Sequence, residues 1–200
     1  MSDADRAPLD PFPDVRVRPQ IALLLITGLS VVFATVFVGL ASPARTQGIA
    51  LYASFGLGTS LLVLSYIDLR TGLLLDIITL PLIVSGIAFA WFSDGSWRFA
   101  MGGAALGYVL IAGLGYVWRQ MRGYEGIGLG DAKLLAAGGA WVGIAMLPVI
   151  LLVASGAGLI GAVFVALKPQ NNEDRVAIPF GPALAFGIWT AWCADGFVFL

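Results

Sequence analysis

Seven apolar runs, at about 21–40, 48–67, 77–92, 98–118, 131–147, 148–167 and 179–200, fill the chain beyond its first 20 residues and leave nearly all the charges between them. A helix needs about 20 apolar residues to cross the roughly 30 Å hydrocarbon layer of a bilayer. Lipid satisfies no backbone N–H or C=O group, so a spanning segment must close its own hydrogen bonds, as a helix does. The pattern therefore predicts an all-α, polytopic transmembrane helical bundle of six or seven spans. The count is open because the third and fifth runs are short and Pro148 either divides two helices or bends one hairpin. Composition agrees: 59% of residues are hydrophobic and 12% charged, with a mean hydropathy of +0.92, against about 25% charged residues in an ordinary soluble domain.

Residues 1–20 contain four Asp, three Arg and four Pro, which suits a flexible polar tail and not a packed element. This tail is too acidic and proline-rich for the basic start of a secretory signal, so the first apolar run is expected to stay in the mature protein. The expected organisation is a cytoplasmic tail at 1–20 and a transmembrane domain at 21–200. Orientation follows from the basic residues. Arg6, Arg16, Arg18, Arg70, Arg119, Arg122, Lys133, Lys168 and Arg175 fall on the side of the N-terminus, and only Arg45 and Arg98 on the other. The N-terminus and even-numbered loops are predicted to be cytoplasmic, in a bacterial inner membrane.

The chain has no histidine and one cysteine, Cys193. An internal disulfide, a structural zinc site of Cys and His ligands, and Ser-His-Asp or Cys-His catalysis all lack their parts. The net charge of −1 offers no basic surface to nucleic acid. If the chain hydrolyses anything, the groups left are carboxylates, lysines and hydroxyls.

The cytoplasmic carboxylates are few. Asp68 ends the apolar run LLVLSYID and Asp131 opens GDAKLLAAGGAW. A charged group in hydrocarbon costs about 2.5–3.5 kcal/mol at mid-bilayer on insertion scales and needs a reason to be there. Two neighbouring carboxylates supply one: they share a proton, so one member activates water while the other polarises a carbonyl. Other readings stand beside this. Asp131 follows GIGLG and has the look of a helix N-cap, Asp68 is two residues from Arg70 and suits a solvated interfacial charge, and Asp76 before IITLPL favours a cap. Glu125, Glu173 and Asp174 read as solvated loop charges, and Lys133 as a group that tunes the local field or reaches lipid phosphate. The spacings Gly103/Gly107 and Gly139/Gly143 favour close helix approach.

These residues carry a family resemblance. EGIGLGDAKLLAAGGAWVG at 125–143 resembles the GxGD block of type IV prepilin peptidases, SYIDLRTGLLLDIITLPL at 65–82 resembles the family's other aspartate block, and IPFGPALAFG at 178–187 its P-F-G-P segment. The resemblance implies that Asp68 and Asp131 are the catalytic aspartates, Gly128 and Gly130 the motif glycines, and Asp76 a non-catalytic member of the first block. It implies hydrolysis of the bond joining a basic leader, after its glycine, to an apolar pilin or pseudopilin helix, in type IV pilus or type II secretion systems, without metal or organic cofactor. The paired Cys-x-x-Cys motifs linked to N-methylation in the bifunctional enzymes have no counterpart here, so a peptidase-only member is expected. The implied partners are the prepilin substrate and the bilayer. Two rivals of other classes remain: a proton- or cation-coupled transporter using the same aspartates, and a silent assembly factor.

Overall fold

The computed structural model describes residues 48–93, 95–123, 128–166 and 179–198. Among them are six α-helices: α1 Gly48–Thr71, α2 Asp76–Ser93, α3 Trp97–Arg122, α4 Leu129–Val142, α5 Leu147–Ala166 and α6 Gly181–Val198. A short 3-10 turn, Ile144–Met146, precedes α5. The protein is an all-helical polytopic membrane protein; the tail at 1–20 and the first apolar run at 21–40 lie outside the described residues. Among the described residues, four stretches are long and apolar enough to span: Tyr52–Thr71, Asp76–Ser93, Trp97–Arg122 and Ile144–Val163.

The fifth apolar run, expected to be a span, is divided. Its first part forms α4, a helix of 14 residues, about 21 Å long and too short to cross the hydrocarbon alone. Gly143 then adopts φ 77°, a left-handed conformation that ends the helix, and the chain turns into α5. Pro148 stands at the second residue of α5, where its missing N–H costs little, so the two runs are two helices. The reason for the short length is burial: every residue of α4 from Leu134 to Val142 is buried, and the helix packs against α2, α3, α5 and α6. It is the central helix among those described, in contact with four others.

The closest helix approach is between α3 and α4, and glycine permits it. A side chain at Gly103 would collide with the Gly139 carbonyl oxygen, one at Gly139 with the Gly103 oxygen, and one at Gly107 would lie 2.8 Å from the Leu135 oxygen. These contacts make the two helices antiparallel. Helices α1 and α6 are antiparallel too, with Gly58 under the Trp189 ring and Trp192 Nε1–H donating to Ser54 Oγ at 3.0 Å.

The two ends of the bundle differ in chemistry. Near one end Phe89, Trp141 and Trp192 form an aromatic knot with ring centroids 5.4–5.7 Å apart, pinned by the Trp141 indole N–H donating to the Leu82 carbonyl at 2.8 Å. The other end gathers Arg70, Arg119, Arg122 and Lys133 together with Asp68, Asp76 and Asp131. Along α3, Arg98 stacks on Trp97 and Arg122 on Trp118. Those tryptophans are 21 positions apart, about 31 Å at 1.5 Å per residue, which matches the spacing of the two aromatic belts of a bilayer.

Candidate active site

At the charged end, α1 stops while α2, α4 and α6 start. Asp68 lies in the last turn of α1 and is held at two points. Its backbone carbonyl accepts from the N–H of Gly72 at 2.8 Å; Gly72 has φ 65°, the left-handed helix stop that glycine adopts without strain. Its side-chain Oδ2 accepts from the N–H of Gly181, the first residue of α6, at 3.0 Å. Asp68 is only 6% exposed. The neighbouring turn is fixed further by Thr71 Oγ1 donating to the Ile67 carbonyl at 2.9 Å and accepting from the Leu73 N–H at 3.3 Å.

Asp131 is the third residue of α4 and is half-buried. The cap reading of Asp131 does not hold: Gly128 occupies the cap position, with φ −72° and ψ 135°, and no side chain caps this helix. Asp131 is therefore not engaged by the backbone donors a cap would satisfy, and it lies in the first turn of α4, at the same end of the bundle where Asp68 lies in the last turn of α1. The antiparallel register that sets Gly139 beside Gly103 and Leu135 beside Gly107 continues to put Asp131 level with about Ile111. That is about 10 Å short of Trp118 along the α3 axis, so Asp131 sits inside the span the tryptophans mark and not at its edge.

Of the two glycines of GLGD, only Gly130 has a packing reason to lack a side chain. A Cβ on Gly130 would lie 2.9 Å from Leu74 Cβ, because the turn between α1 and α2 folds over α4 at that point. A Cβ on Gly128 would stand 3.8 Å from Asp131 Oδ2, an ordinary van der Waals contact that leaves room for a side chain.

Asp76 and Lys133 find each other. Lys133 Nζ donates to both carboxylate oxygens of Asp76 at 2.6 Å, tying the first residue of α2 to the second turn of α4. Both side chains are partly exposed, so the pair contributes about 0–1 kcal/mol. Asp76 enters an ion pair where a cap was expected; the carbonyl of Leu75, one residue earlier, accepts from the N–H groups of Ile78 and Thr79 at 3.1 Å. Lys133, expected to tune the local field or reach lipid phosphate, is paired with this carboxylate. Glu125, Glu173 and Asp174 lie outside the described residues. Gly181 was missed as a site residue: the P-F-G-P segment signalled a turn into a helix, with nothing to say which side chain its amide would meet. Among the described residues no three His, Cys, Asp or Glu side chains group closely enough to hold a metal ion.

The class these features define is a polytopic helical membrane protein with a carboxylate pair set into one end of its core. The profile of the type IV leader peptidase family matches residues 55–165, and the chain belongs to that family. It is similar to the "Prepilin leader peptidase/N-methyltransferase" of Burkholderia pseudomallei, 41% identical over 139 residues that make up 69% of this chain and 45% of the relative. Proteins of the same description from Aeromonas salmonicida are 37% identical over 183 residues, 88% of this chain and 58% of the relative, and from Pseudomonas aeruginosa 39% over 134 residues, 66% and 45%. The chain thus spans about half the length of the curated relatives it matches. No solved structure gives a significant match.

Proposed function

We propose that this chain is an aspartic endopeptidase that cuts the basic leader from type IV prepilin or pseudopilin-like substrates, with Asp68 and Asp131 as its catalytic pair. The observation that carries the reading is the convergence of these two aspartates, 63 positions apart in sequence, at the end of the bundle where α1 stops and α4 starts, with Asp68 buried and Asp131 half-buried.

The chemistry follows from two carboxyl groups holding one proton. The ionised member takes a proton from water as its oxygen attacks the scissile carbonyl carbon, and the protonated member donates to the carbonyl oxygen. Collapse of the tetrahedral intermediate breaks the C–N bond, and the leaving amine takes up a proton from the pair. No cofactor enters. The position inside the tryptophan-marked span suits a substrate whose cut lies where a polar leader meets an apolar helix, and membership of the leader peptidase family supports that substrate class.

We further propose that the charged end faces the cytoplasm of the inner membrane. Arg70, Arg119, Arg122 and Lys133 share the end with both aspartates, against Arg98 at the other, and such an excess of Lys and Arg marks a cytoplasmic side. With Cys193 replaced by Ala, a cysteine at Arg70 is expected to resist an impermeant thiol reagent in intact cells while one at Ser96 labels. Labelling at Arg70 without labelling at Ser96 contradicts the orientation.

The test of the activity is incubation of the purified protein with a full-length prepilin in lipid, reading product masses. The expected result is one cut at the leader boundary, unchanged by EDTA and by serine- or cysteine-directed inhibitors. Cleavage that disappears with chelator and returns with a divalent ion contradicts the two-carboxylate reading.

A further inference from the structure

The carboxylate of Asp68 is held in place by a different helix from its own. Its Oδ2 accepts from Gly181 N–H at 3.0 Å. A Cβ built on Gly181 would lie 2.5 Å from that oxygen, 2.8 Å from Cγ and 3.2 Å from Cβ of Asp68. The backbone of Gly181 is not left-handed, so conformational freedom is not what requires glycine here. The requirement is room, because the carboxylate lies directly on the Cα of Gly181. The same residue opens α6, where the helix's unpaired amides point outward and favour a negative group.

The rest of the α1–α6 seam fixes the register that makes this contact. Trp189 lies across Gly58, and Trp192 bonds Ser54, so α6 cannot slide along α1 without breaking contacts 10 and 14 residues away from Asp68. We propose that Gly181 is a positioning residue of the peptidase centre: its amide orients the Asp68 carboxylate, and its lack of a side chain leaves the space that carboxylate occupies. This rests on Asp68 being one of the catalytic pair. With Oδ2 committed to the amide, the carboxylate cannot rotate freely about its Cβ–Cγ bond, and its remaining oxygen keeps one direction for water or substrate. Pre-orientation of this kind matters because a displacement of about 1 Å at a reacting group costs on the order of 10²-fold in rate.

The test uses the purified full chain in lipid nanodiscs with a full-length prepilin, and measures kcat, KM and thermal unfolding together. Gly181→Ala is expected to lower kcat about 100-fold with KM within about twofold of the parent. Replacing Gly181 by glycolic acid through cell-free translation removes the N–H and adds no atom that would clash; kcat is expected to fall about tenfold or more, as for loss of a hydrogen bond to a charged group. An ester variant with the parent kcat overturns the proposal. So does a Gly181→Ala loss that only tracks the unfolded fraction. Asp68→Asn is measured in parallel. If it cleaves normally, the catalytic assignment itself fails; if it is inactive while the ester variant is fully active, only the role of Gly181 falls.

Discussion

Asp68→Asn and Asp131→Asn are each expected to lower kcat for leader cleavage by about 10³-fold or more while the protein still inserts and folds. An amide has nearly the size of a carboxylate but neither takes a proton from water nor carries the proton the pair must share, and general acid–base assistance is worth about 10²–10⁴-fold for each group. Folding should survive for different reasons at the two sites. At Asp68, the Asn oxygen remains an acceptor for Gly181 N–H, and at Asp131 no cap bond is lost because none is made. Asp76→Asn is the contrast: it weakens a partly exposed ion pair to Lys133 and is expected to retain most activity. Rates on purified variants check this, and normal processing by either of the first two contradicts the assignment.

The largest structural effect is expected at the α3–α4 contact. Gly139→Ala and Gly103→Ala each drive a methyl group into the backbone of the facing helix. No rotamer relieves a clash with main chain, so the two helices must separate along a seam that also carries Gly107. The expected loss is about 3 kcal/mol, the upper part of the overpacking range, read as a fall in the thermal midpoint of the purified protein in lipid. Gly113→Ala and Gly156→Ala have nothing within 4 Å of the added atom and are expected to be neutral or slightly stabilising, since Ala is the better helix former. Equal losses at all four positions contradict the packing account.

What the sequence made legible were the features carried by local pattern. The apolar runs gave the helical class, the Gly103/Gly107 and Gly139/Gly143 spacings gave a close helix contact, and the GLGD block marked Asp131 for attention. What it concealed were relations between distant positions. Run length overstated the fifth segment, because a helix enclosed by other helices on several sides is as apolar as one facing lipid. Asp131 resembled a cap because glycines precede it, but the chain enters α4 at Gly128 and leaves the aspartate two residues into the first turn. Lys133 and Asp76 are 57 positions apart and Asp68 and Gly181 113 apart, so neither pairing has a local signature. A backbone amide has no residue type at all, which is why the donor to Asp68 was invisible until the helices were placed.

The most direct test of the central claim is a double-mutant cycle on kcat with the purified protein and a full-length prepilin. Groups that act as one unit are strongly non-additive. If Asp68 and Asp131 share one water and one proton, then Asp68→Asn, Asp131→Asn and the double variant should fall to nearly the same residual rate. If the double variant instead loses the product of the two single losses, or if one single variant keeps the parent rate, the two aspartates do not form a catalytic pair.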